Sequence, residues 1–265
     1  MSNTQSSTPV RGPWLWPIVL TAAGVVFLLD NFLLLGDFDA TAFWPLLLVF
    51  AGAQLLIKGD LFPDSGVRTF GITRGSVESG TLEITPGEID VHIRPLQQEG
   101  RLIAGQYAAQ ARPALYVQET HAFLKMDRSA TSRLFFADWE IALARDLPWA
   151  LFISANLGRI DLDLSEVIVE QVHASTGFGD IDFVCPFEAL NPLLLHSTFG
   201  NIRIITPIGH NVHITIKAGY LFGIHVDEER YQRIGEGVYA ARNIAEEAPL
   251  VELQVGGTFG DAYLA

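Results

Sequence analysis

Two uncharged apolar runs near the N-terminus constrain this chain most. Trp14 to Leu29 is 16 residues without a charge, and Ala40 to Ile57 is 18. Both carry one motif: Trp16-Pro17 is followed eight residues on by Gly24, and Trp44-Pro45 eight residues on by Gly52. The connecting loop holds Asp30, Asn31, Asp37 and Asp39 and no Lys or Arg. At about 1.5 Å per residue the longer run spans roughly 27 Å as a helix. That is close to the roughly 30 Å of a bilayer core. The expectation is a two-helix transmembrane hairpin over 13–58. Its tryptophans sit at headgroup level, its prolines in first turns and its glycines where the helices approach. Asp30 and Asn31 read as a helix end at the interface.

Charge sets the expected orientation. Arg11 precedes the first run, and Lys58, Arg68 and Arg74 follow the second. The positive-inside rule then places both termini in the cytoplasm of a two-span cell-membrane protein. Residues 1–12 are polar and read as a disordered N-terminus, and 59–82 as a linker.

From about residue 83 the pattern changes to short alternating stretches punctuated by glycine. Gly158-Arg-Ile-Asp-Leu, Gly179-Asp-Ile-Asp-Phe, Gly200-Asn-Ile-Arg-Ile, Gly223-Ile-His-Val and Gly260-Asp-Ala-Tyr-Leu follow at intervals of 21, 21, 23 and 37, with Gly87-Glu-Ile-Asp-Val as an earlier member. A period near 21 with two strands per unit predicts an all-β solenoid over 83–265. Glycine supplies the tight corner, and Ile160, Leu162, Ile181, Phe183, Ile202 and Ile204 stack inside. The end strands, near Glu83 and Ala262-Tyr263-Leu264, are the expected exposed edges. Through them the chain would form a homo-oligomer or a self-assembling scaffold, the alternative reading of its role.

Little in the sequence points to chemistry. A net charge of −13 argues against nucleic-acid binding. His210 and His213 are three apart, which puts them on opposite faces of a strand and excludes a natural chelate. Asp161, Asp163, Asp180 and Asp182 alternate with apolar residues and read as solvated positions rather than an acid/base pair. The lone cysteine, Cys185, has no basic neighbour and reads as a packed thiol. No catalytic, cofactor-binding or metal-binding residue is assigned. The stretch Asp227 to Ala248 interrupts the repeat. Its Glu228, Glu229, Arg230, Tyr231, Arg233 and Tyr239 are the candidate partner contacts, since insertions in solenoids often form a binding face.

Both halves resemble one known arrangement. The N-terminal repeat with Leu28-Leu29-Asp30-Asn31 resembles the transmembrane region of the LiaF-like cell-envelope stress-response proteins. The Gly-Asp-Ile-Asp coils, with Gly235-x-Gly237-x-Tyr239 before the last one, resemble that family's toast-rack β domain. The resemblance implies a membrane-anchored regulator of envelope stress signalling. Such a protein works by contact with a membrane histidine kinase rather than by catalysis.

Overall fold

A computed structural model describes residues 67–85, 87–108, 113–127 and 137–265. The expected N-terminal segment and hairpin, with Trp16, Pro17, Gly24, Asp30, Asn31, Trp44, Pro45 and Gly52, lie outside the described residues. Chain contacts separate a unit ending at Asp64 from one spanning Ser65–Ala265. Only the second is described below.

All seventeen named elements of the described residues are strands. In chain order they are β1 (Val67–Thr73), β2 (Ser79–Ile84), β3 (Ile89–Pro95), β4 (Arg101–Ala108), β5 (Ala114–Gln118), β6 (His121–Met126), β7 (Ala137–Leu143), β8 (Trp149–Leu157), β9 (Ile160–Asp163), β10 (Val169–Phe178), β11 (Ile181–Val184), β12 (Leu193–Phe199), β13 (Ile202–Ile205), β14 (Asn211–Val226), β15 (Tyr231–Gly235), β16 (Val238–Ala241) and β17 (Leu250–Leu264). Among the described residues the sheet therefore starts at Val67, and β1 and the first four residues of β2 fall within 59–82, the stretch read as a linker. Ile244, beyond the last of the short strands before β17, makes an isolated parallel bridge to Gly209.

The repeating unit is a longer strand, a glycine corner and a shorter strand. In β8–Gly158–β9, β10–Gly179–β11 and β12–Gly200–β13, equivalent residues pair in parallel at a 21-residue offset: Phe178 with Leu157, Ile181 with Ile160. Alternation sends every second side chain inward. Ile160, Ile181 and Ile202 then form one fully buried row, and Leu162, Phe183 and Ile204 another. Each such side chain contributes about 1.5–3 kcal/mol through burial.

The corner needs glycine for two reasons. Gly158, Gly179, Gly200 and Gly260 have φ between 125° and 149°, where L side chains are strained. A Cβ on Gly179 would also lie 2.0 Å from the carbonyl oxygen of Gly158, and one on Gly200 2.0 Å from that of Gly179. Gly223 differs. It lies within β14, and the atoms nearest to a Cβ there are side-chain atoms of Asp261 and His225. Gly87 stands just before β3.

The coils do not stack in chain order. One ladder runs β5–β6–β2–β8–β10–β12–β17–β14–β16–β15 and the other β1–β4–β7–β3–β9–β11–β13–β17–β14. At both ends the chain doubles back. β2 lies between β6 and β8, and β17 between β12 and the first half of β14. Glu83 and Ala262-Tyr263-Leu264, the expected edges, are thus interior. Among the described residues the open ends belong to β5, β1, β15 and the second half of β14.

Candidate partner-binding cleft

The second half of β14 and the Asp227–Ala248 excursion build a cleft at one end of the stack. The excursion is a β-hairpin: β15 and β16 pair antiparallel, Tyr231 with Ala241 and Arg233 with Tyr239, around Gly237 at φ 65°. β16 in turn pairs antiparallel with the first half of β14, His213 with Ala240. Asp227 turns the chain into the hairpin. Its carbonyl accepts the N–H groups of Arg230 and Tyr231, and its Oδ1 accepts that of Glu229 at 2.9 Å.

Tyr231 locks the hairpin onto the core. Only 1% exposed, its hydroxyl lies 2.7 Å from Thr206 Oγ1 and donates to it. The Ala265 carbonyl is a second acceptor at 3.3 Å. Thr206 passes the chain on to Cys185 Sγ at 3.6 Å, and the Arg230 guanidinium donates to the Thr206 carbonyl. Burial pushes both the Tyr231 phenol and the Cys185 thiol up to about 12, because neither anion is solvated there. Burial also lowers the pKa of nearby His210, whose Nδ1 has no hydrogen-bond partner among the described residues.

The cleft measures about 460 Å³ and is lined by Ile224, Val226, Glu228, Tyr231, Gln232, Arg233, Tyr239 and Arg242. Of the candidate contacts it gathers Glu228, Tyr231, Arg233 and Tyr239. Glu229 and Arg230 are not in its lining. Tyr231 is buried, and its hydroxyl ties this part of the lining to Thr206. Ile224, Val226, Gln232 and Arg242 escaped the sequence reading. Ile224 and Val226 read as ordinary coil positions, and only the reordered stack leaves them at an open end.

The outward acids are engaged structurally. Asp180 Oδ1 accepts the N–H of Asn201 at 2.7 Å. Asp182 is paired with Arg159 and lies 3.9 Å from Arg203 Nε. The Asp182 carboxylate, through its hydrogen bond and charge, raises the Arg159 pKa. Asp161 lies 3.4 Å from His92 Nδ1. Among the described residues no group of three or more His, Cys, Asp and Glu side chains is placed to hold a metal.

Residues 14–56 match the family model of the LiaI-LiaF-like transmembrane region, and residues 69–184 that of the N-terminal domain of toast_rack. No curated protein matches the chain. Among solved structures, a candidate cell adhesion protein from Clostridium sporogenes is similar at TM-score 0.63 and 15% identity, covering 75% of this chain and 97% of its own. A candidate adhesin from Bacteroides fragilis aligns at TM-score 0.30 and 11% identity, over 77% and 99%. The first likeness shows a shared β fold, and the second is too weak to argue from. With its transmembrane region and its β domain each matched, the chain is a LiaF-like membrane protein carrying a toast-rack domain.

Proposed function

We propose that the protein is a non-enzymatic regulator of cell-envelope stress signalling. It acts by protein contact, with a membrane histidine kinase as partner and both termini in the cytoplasm. Membership of a membrane-associated envelope-stress family supports the setting. The observation that carries the contact reading is the cleft: it places Arg233, Tyr239 and Glu228 around a partly apolar floor at an open end of the stack. The outward acids of the coils, Asp180 and Asp182, are tied to backbone and arginine partners, which supports a scaffold for contact over a site for chemistry.

The test is copurification from native membranes. The full chain with Arg233→Glu should lose a kinase that the wild-type chain retains, while still folding. Retention of the kinase by that variant and by Glu228→Arg would overturn the reading. Deleting 228–247 is a poorer test, because it removes the Tyr231 anchor along with the surface. Reporters fused after Ala265 give the orientation, and a signal only from an externally active reporter would exclude contact with cytoplasmic kinase domains.

A further inference from the structure

The cleft has a backbone wall as well as side chains. β14 is flanked on both sides over its first half, by β17 and β16. Over Leu221–Val226 only β17 pairs with it among the described residues. Asp227 donates its N–H to the Leu264 carbonyl. Backbone groups alternate sides along a strand, so the N–H and C=O of Ile224 and Val226 face away from β17, into the open side.

The interior row is unfinished there too. In the second ladder each coil contributes two inward apolar residues two apart: Ile160 and Leu162, Ile181 and Phe183, Ile202 and Ile204, Ala262 and Leu264, all fully buried or nearly so. Ile224 and Val226 continue this row in register but are only half-buried. A sheet edge with unpaired backbone and a half-covered apolar pair is a template for one more strand.

Charge narrows the occupant. The chain as a whole carries −13, yet the cleft is lined by two arginines against one acid, Glu228. Arg233 and Arg242 each spend Nε on a backbone carbonyl, of Gly235 and Tyr231 at 3.0 Å. Neither is ion-paired with a described residue.

We infer that the Leu221–Val226 edge of β14 receives an extended segment of a partner protein as an added strand. That segment is apolar at alternate positions and bears an acidic residue within reach of Arg233 and Arg242. The inference rests on the contact reading above and names the mode of that contact.

The experiment uses the full chain in detergent micelles and a labelled synthetic peptide with Val or Ile at alternate positions and Glu between them. Saturable binding by anisotropy is expected. Val226→Pro removes an N–H on the open side and no hydrogen bond to β17, and should weaken binding at least tenfold. Arg233→Glu, an exposed change that leaves the edge intact, should do the same. A peptide with Lys for Glu should not bind. Absence of saturable binding, or binding insensitive to both variants, would overturn the inference. So would light scattering that shows a wild-type dimer and a Val226→Pro monomer, since the edge would then belong to a second copy. Kinase copurification that survives Val226→Pro but not Arg233→Glu would sink strand addition while leaving the contact reading in place.

Discussion

Phe199 lies flat on Phe259, ring centroids 4.6 Å apart and planes 2° from parallel, across sixty residues of chain. Phe178 stacks on the other side of Phe199 at 4.7 Å. The row is continuous because β17 returns to pair with β12 and β13 before β14 closes the end. The last strand in sequence is therefore a central one in space. Removing residues 250–265 should abolish the folded domain rather than trim it. Loss of the cooperative thermal transition in circular dichroism checks this, and a truncated chain that still melts cooperatively would contradict the strand order.

The coil was legible in the sequence because its corner makes a local demand. Only glycine accepts both the φ of Gly158, Gly179 and Gly200 and the backbone packed against each, so the 21-residue period is written where it can be read. The order of coils was not legible. Val212-x-Ile214-x-Ile216 and Val251-x-Leu253-x-Val255 carry the same alternation, and nothing local says which of them pairs with β12. That choice is made by contacts distant in sequence, including Phe199 with Phe259. The cleft was half legible for the same reason. Arg233 and Tyr239 lie in the interrupting stretch, but Ile224 and Val226 became an open floor only through the reordering.

Gly179→Ala should destabilise the domain by about 2–3 kcal/mol, since it adds strain at φ 147° to a 2.0 Å approach on Gly158 O. Gly223→Ala, facing movable side-chain atoms of Asp261 and His225, should cost less than half as much. Urea denaturation midpoints of the two variants check the difference, and equal effects would contradict the distinction between the two positions.

Tyr231→Phe keeps the buried ring and removes the donor to Thr206, which should cost about 1–1.5 kcal/mol. The same cluster predicts loss of stability in alkali. Burial raises the folded pKa of Cys185 from 9.0 and of Tyr231 from 10.0, each to about 12. The unfolded chain gives up these protons first. The stabilisation is therefore fully present below pH 9 and is lost as pH rises from 9 to about 12. Melting temperature should fall across that window, and less steeply in Tyr231→Phe. A flat profile from pH 9 to 11 would contradict the buried, protonated cluster.

Cys185 is fully buried and accepts from Thr206. Its thiol should therefore resist alkylation by iodoacetamide at pH 8 in the folded protein and react readily in guanidinium. Stoichiometric labelling of the native chain within minutes, read by intact-mass spectrometry, would show that the end of the stack opens far more often than its packing implies.

Asp180 separates a structural acid from a chemical one. Its Oδ1 accepts the Asn201 N–H at 2.7 Å, and one coil on, Asn201 Oδ1 accepts the Asp261 N–H at 3.1 Å. An amide already performs the carboxylate's task at the equivalent position. Asp180→Asn should thus leave stability and signalling unchanged, while Asp180→Ala strands the Asn201 N–H and should cost about 1 kcal/mol. A role in proton transfer demands the opposite, because Asn cannot exchange the proton a carboxylate can. Thermal denaturation and a stress-reporter assay on both variants decide the matter: loss of signalling in a fully stable Asp180→Asn protein would reopen the case for chemistry on this face.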